Sequence, residues 1–214
     1  MSNFIKILLL CLCSTAWGAT EEKLEQVAVD TSQAGIARGA QMLMSNCHSC
    51  HTLKYIKYRD LAGIGIAKSM IDEWRGDQPL DATLQAQMSE NDAAQSFGKA
   101  PPDLSLMAKA RDGGVNYVYS YLLAYYLTPE GLPGNHVYPE THMPDPLGIS
   151  TAADDAAKGA IREQARDIVS FLAWTADPHE QERHKLGYYV IGYLMVLTVL
   201  LYLLKRQIWA RLES

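Results

Sequence analysis

Residues 186–204 form a run of 19 positions without a charged side chain. At about 1.5 Å per residue this run makes a helix roughly 28 Å long, the depth of a bilayer's hydrocarbon core. It has no polar face to turn to water, so it cannot be a surface helix of a globular fold. Tyr188 and Tyr189 at one end and Trp209 beyond the other match interfacial aromatic belts, and Lys205, Arg206 and Arg211 mark the cytoplasmic side. Gly187 and Gly192 are not spaced as Gly-xxx-Gly, so the run carries no small-residue pairing motif of that kind.

A shorter apolar run, residues 5–13, leads to Ala16-Trp17-Gly18, which places small residues at −3 and −1 of a cut before Ala19. It falls short of the roughly 20 residues a spanning helix needs and reads as a secretory signal. The expected organisation is a signal peptide over residues 1–18, an exported domain over 19–182, and an anchor over 183–214 whose span is about 186–204. The exported domain would lie outside the cytoplasmic (inner) membrane, on the periplasmic side, with a short tail in the cytoplasm. Residues 19–185 hold 15 Lys and Arg against 23 Asp and Glu, a formal charge of −8. Such a surface argues against nucleic acid as a partner and favours a basic protein or a metal ion.

Cys11 and Cys13 leave with the signal, so the mature chain keeps Cys47 and Cys50 alone, in Cys47-His48-Ser49-Cys50-His51. The pattern C-x-x-C-H is the attachment motif of c-type haem: both thiols are consumed by the haem vinyl groups, and the adjacent histidine ligates the iron. A zinc site would need two further ligands close by, and no second cysteine pair exists.

Helical spacing predicts a helix over residues 35–45, which delivers the chain to Cys47, and further helices over 68–74, 83–89, 104–111, 115–127 and 152–174. Asp103 is the expected N-cap of the helix over 104–111. Residues 129–148, with five prolines, read as a long loop. Few strand signals appear, so the fold class is mainly α. A methionine as sixth ligand would raise the potential and close the iron to substrates. Met42 and Met44 lie too near the motif, Met195 lies in the apolar run, and Met70, Met88 and Met107 fall in short predicted helices. Met143 is the front-runner, in His142-Met143-Pro144-Asp145-Pro146, a stretch stiff enough to hold a side chain, while His142 and His136 remain rivals.

Several blocks together resemble the cytochrome c1 family, the haem subunit of the ubiquinol:cytochrome c oxidoreductase (bc1) complex. They are Arg38-Gly39 ahead of the cysteine motif, Leu53-Lys54-Tyr55, Ala100-Pro101-Pro102-Asp103-Leu104-Ser105, Ala108-Lys109-Ala110-Arg111, Tyr117-Val118-Tyr119, Tyr138-Pro139 before Met143-Pro144, and Phe171-Leu172-Ala173-Trp174 before Asp177-Pro178. The loop departs from the family pattern at Glu140-Thr141-His142, where small residues are expected. The resemblance implies a cytochrome c-like helical haem domain with long loops plus one C-terminal transmembrane helix. It implies one haem c attached through Cys47 and Cys50, with His51 and Met143 as axial ligands of the iron, Pro102 near the haem, and Arg111 and Tyr117 near the propionates. It further implies an electron-transfer subunit rather than an enzyme in its own right. That subunit would take one electron from a Rieske iron-sulfur protein and pass it to a soluble cytochrome c, with its tail helix in membrane lipid against a cytochrome b subunit. Two alternatives stay open from the residues alone: an anchored cytochrome donating to a terminal oxidase, and a haem enzyme or sensor with a displaceable sixth ligand.

Overall fold

The computed structural model of the chain describes residues 24–212; the expected signal peptide lies outside them. In chain order the elements are α1 (Gln33–Asn46), β1 (Leu53–Lys57), α2 (Asp60–Gly63), α3 (Lys68–Arg75), β2 (Thr83–Leu84) and α4 (Glu90–Phe97). They continue with α5 (Met107–Ala110), α6 (Gly114–Leu123), β3 (Tyr125–Leu127), β4 (Pro133–Asn135), a single 3-10 turn (Ile149–Thr151), α7 (Asp155–Ala176) and α8 (Glu180–Leu212).

The crossing of α1 on α7 carries the core. Ser32 starts α1 by accepting the Gly35 N–H at 3.1 Å, and Asp154 starts α7 by accepting that of Ala157 at 2.7 Å. On α1 the buried side chains Ile36, Ala40 and Leu43 follow the helical period, and α7 answers with Ala165, Ile168, Val169, Phe171 and Leu172. Where the backbones are closest stands Gly39: a Cβ there would meet the Asp167 carbonyl and come within 2.8 Å of the Phe171 Cβ. Arg38, next to it, bonds Asp167 on α7 at 3.1 Å and Asp30 at 3.0 Å.

Residues 24–31 form no regular element, yet three of their backbone donors are met by side chains. The N–H of Glu25 bonds Ser120 Oγ at 2.8 Å, that of Val27 bonds Asn116 Oδ1 at 2.9 Å, and that of Asp30 bonds Ser170 Oγ at 2.9 Å. This strap ties the start of the described chain across α6 and α7. The small sheets are two antiparallel pairs, β1 with β2 and β3 with β4. Fully buried Leu53 and Leu84 face each other in the first.

Three local expectations are corrected. Residues 83–89 are not helical: Leu84 is drawn into the core as a strand residue, and the helix begins only after Ser89, which caps α4 by accepting the Asp92 N–H at 3.1 Å. Asp103 caps no helix, because its carboxylate is taken up by Thr52, Lys54 and Ser105, and the predicted 104–111 helix shortens to α5. The helix predicted over 115–127 ends at Leu123, since Tyr125–Leu127 pairs with Pro133–Asn135 as a hairpin. The other helices lie where their periodicity placed them.

Helix α8 contains a segment long enough to cross a membrane, Glu182–Arg211, whose most apolar 18-residue window has a mean hydropathy of 2.0 and is not buried within the fold. Leu186, Tyr188, Tyr189, Val199 and Leu200 are all exposed along it. Just before this helix, Asp177 accepts the Lys109 ammonium of α5 at 2.7 Å and the Arg183 guanidinium of α8, joining the anchor to the helical body. Lys205 lies over the ring of Trp209 at 5.8 Å, at the far end of the stretch.

Candidate haem cavity

Cys47 follows the last turn of α1, its N–H bonded to the Leu43 carbonyl at 2.8 Å, and the motif coils tightly onward. Cys50 N–H meets the Cys47 carbonyl at 3.1 Å and His51 N–H meets it at 2.9 Å. A second segment runs alongside, with the Met88 N–H on the Ser49 carbonyl at 3.0 Å. Both thiols are unbridged. Burial pushes the Cys47 thiol up to about 12, with the neighbouring Cys50 adding to the shift.

His51 is 7% exposed, and its Nδ1 lies 2.8 Å from the Pro102 carbonyl oxygen. A carbonyl only accepts, so Nδ1 carries the proton and Nε2 keeps its lone pair for a metal. Burial holds the imidazole below its ordinary pKa despite the bond to Pro102 and the nearby Asp103, which favours this neutral form. Pro102 is held in place by its neighbour. Asp103 accepts from Thr52 Oγ1 at 2.8 Å, Lys54 N–H at 2.9 Å and Ser105 N–H at 3.1 Å, while the Leu104 N–H bonds the Thr52 carbonyl at 2.9 Å. The residues after His51 and those after Pro102 are thus laced together.

The motif opens onto a cavity of about 930 Å³, at the upper end of the range for cofactor sites. Cys47, Cys50, His51, Pro102, Arg111, Tyr117 and Met143 all line it. So do two other sulfur or imidazole side chains, Met107 and His142. His136 does not; its ring stacks on Tyr126 at 4.1 Å. Met42, Met44, Met70 and Met88 are likewise outside the lining. Val118, Leu122, Ile168 and Leu172 give apolar walls, and the lining charges are Lys99, Arg111 and Glu140. The Arg111 guanidinium carbon stands 5.9 Å from the centre of the Tyr117 ring.

These residues fit a large, flat, mostly apolar group that bears its own metal and a few anionic oxygens. The paired thiols would suit covalent attachment, the free Nε2 would suit the iron, the apolar walls would suit the ring, and Arg111 would suit a carboxylate. A bare ion fits less well: among the described residues no three His, Cys, Asp or Glu side chains come together to hold one.

The loop carrying Met143 is built from side-chain oxygens rather than backbone ladders. Asn135, 1% exposed, donates to the Tyr121 carbonyl at 2.8 Å and accepts the N–H groups of Val137 and Tyr138. Asp145 accepts the N–H groups of Leu147, Gly148 and Ser150. Between them, Met143 N–H meets Thr141 Oγ1 at 3.2 Å, and the Met143 carbonyl meets the Tyr125 hydroxyl at 3.1 Å.

Comparison with known proteins agrees with this site: the family model described as the Cytochrome C1 family matches residues 23–78 and 71–212. The chain belongs to the cytochrome c1 family. It is 31% identical to cytochrome c1 of Allochromatium vinosum over 98% of both chains. It is 32% identical to cytochrome c1 of Rhodospirillum rubrum, over 83% of this chain and 81% of that one. With a mitochondrial cytochrome c1 heme protein of Solanum tuberosum the identity is 31%, over 85% and 80%. Membership makes the chain a haem-bearing, electron-transfer subunit of bc1 type, not itself catalytic, and anchored to a membrane.

The sequence reading did not foresee Thr141, Tyr121, Tyr125, Asn135 or Asp145 as supports of the site. One signal was present: Tyr117, Tyr121 and Tyr125 recur at four-residue spacing, so that the side chains continue one face of α6 into β3. The structure stacks the first two rings at 6.3 Å and sets the third edge-on to the second at 5.6 Å.

Proposed function

We propose that the chain carries one electron at a time from a Rieske iron-sulfur protein to a soluble cytochrome c, through one haem c attached to Cys47 and Cys50. The observation that carries this reading is that one cavity gathers Cys47, Cys50, His51, Pro102, Arg111, Tyr117 and Met143. When bound, the haem supplies one-electron exchange at iron, at a potential that thioether ligation raises.

The protein's part is to bind, orient and tune. Cys47 and Cys50 fix the group through thioether bonds. His51 would hold the iron through Nε2, because Pro102 occupies Nδ1. Met143 would supply the second protein ligand. It is preferred to Met107, which also packs against the core but starts the short helix α5, because it lies in a loop pinned on both sides, and to His142, which is exposed. Arg111 and Tyr117 meet the propionates, offsetting charge that would be costly beside apolar walls. The haem domain, residues 19–182, lies on the periplasmic side of the cytoplasmic membrane, exported by residues 1–18. The single span leaves Lys205, Arg206 and Arg211 in the cytoplasm, and α8 packs on a cytochrome b subunit.

Stopped-flow mixing of the reduced chain with an oxidised basic cytochrome c tests the reading. A one-electron transfer is expected, slowing as the Debye length falls from about 30 Å at 0.01 M salt to about 10 Å at 0.1 M. The slope is expected to be shallow, because Lys99 and Arg111 outnumber Glu140 among the charges that line the cavity. A rate that climbs with salt would reject a basic acceptor, and no transfer at all would overturn the reading.

A further inference from the structure

Four polar groups around Met143 close into a ring. The Met143 N–H lies 3.2 Å from Thr141 Oγ1, that oxygen is in hydrogen-bond contact with the Tyr121 hydroxyl, the Tyr121 and Tyr125 hydroxyls are 2.9 Å apart, and the Tyr125 hydroxyl is 3.1 Å from the Met143 carbonyl. Proton accounting gives the ring a single direction. A carbonyl has no proton, so the one proton of Tyr125 goes to Met143 and its oxygen must accept from Tyr121. Tyr121 has then spent its own proton and accepts from Thr141. Thr141 in turn accepts the Met143 N–H. The circuit starts at the amide of Met143 and returns to its carbonyl with every donor used once.

We propose that Thr141, Tyr121 and Tyr125 form a hydroxyl clamp that positions Met143 as an axial ligand, a proposal that rests on the reading of Met143 given above. Gripping both backbone groups of one residue fixes the two peptide planes that flank it, and hence the direction in which its side chain leaves the backbone. Bonds arranged head to tail polarise one another, so the ring holds better than its separate members. The tyrosines are rigidly supplied. Tyr121 lies on α6, Tyr125 starts β3, their rings pack edge to face at 5.6 Å, and Tyr125 is 5% exposed. Thr141 is supplied by the loop itself, two residues before Met143. The ordering of the loop is therefore met by the fold beforehand, and ligation does not have to supply it.

The test uses the full haem-loaded chain in detergent, with carbon monoxide association to the reduced protein and the ferric methionine-to-iron charge-transfer band as readouts. Thr141→Val and Tyr125→Phe keep shape and remove one hydroxyl each. Each is expected to raise the open fraction, and so the carbon monoxide rate, about fivefold, as the loss of one net hydrogen bond would, with a weakened band. Thr141→Ser keeps the hydroxyl and should restore the slow rate, while Tyr126→Phe, whose ring stacks on His136 outside the cavity, should change nothing. Met143→Leu sets the fully open reference. If Met143→Leu opens the iron but Thr141→Val and Tyr125→Phe bind carbon monoxide as slowly as the parent, Met143 is the ligand and the clamp is rejected. If Met143→Leu leaves the iron closed, the ligation reading falls and the clamp with it. Should a clamp variant fail to take up haem, amide exchange in the unaltered protein decides. Protection of the Met143 N–H above that of the exposed His142 N–H supports the clamp, and equal exchange overturns it.

Discussion

Asp103 shows how one carboxylate can set a histidine that it does not itself hydrogen-bond. Burial would raise its pKa, but bonds from Lys54 N–H, Thr52 and Ser105 outweigh burial and hold the group below the usual carboxylate value. A depressed acid stabilises the fold above its unfolded pKa and loses that contribution as pH falls through its folded value. Asp103→Asn should therefore cost about 1 kcal/mol near neutrality, a figure kept small for solvent screening. The gap to the parent should close below about pH 4. Thermal melts of the two proteins from pH 7 to pH 3 measure this, and a gap that stays constant with pH would mean the charge is not what counts. At this scale the sequence was informative about grouping: the close spacing of Cys47, Cys50 and His51 puts all three on the wall of one cavity. It was silent where a backbone atom does the work: what Pro102 offers is its carbonyl, and no side-chain pattern announces that.

Among the elements, the α1 and α7 crossing is the tightest joint, and two glycines make opposite predictions there. Gly39→Ala would drive a methyl into the Asp167 carbonyl and the Phe171 side chain. Backbone has little room to give, so a loss of about 1–3 kcal/mol is expected. Gly159, exposed on the same helix α7, has open space where its Cβ would stand. Gly159→Ala should stabilise the protein by about 0.5–1 kcal/mol through helix propensity. Denaturant midpoints of the two variants check both signs, and a neutral Gly39→Ala would show that the helices can slide apart. Long amphipathic helices such as α7 were legible because burial of one face imposes the period. The stretch over 83–89 misled because one buried leucine, Leu84, joins a two-residue strand too short to show alternation. The strap of residues 24–31 left no periodic trace at all, since Ser120, Asn116 and Ser170 meet its donors from distant parts of the chain.

At the scale of the whole molecule, the Lys109, Asp177 and Arg183 cluster joins the helical body to the anchor among the described residues. Stopping the chain after Glu182 removes the membrane-length stretch and spares the cavity lining. A soluble protein with an unchanged haem spectrum is the expected outcome, read by fractionation in high salt followed by absorption. Retention on the membrane would place a second lipid contact in the haem domain, and a lost spectrum would make α8 part of its fold.

In the function proposed above, one haem c is held covalently by Cys47 and Cys50, with His51 and Met143 on its iron. A redox-titrated visible spectrum of the purified full chain, taken before and after acid extraction of loose haem and with carbon monoxide added to the reduced form, tests it most directly. Expected are a single one-electron wave, haem that stays with the protein on extraction, and reduced bands that carbon monoxide leaves in place. Haem that washes out, or iron that takes carbon monoxide at once, would contradict it.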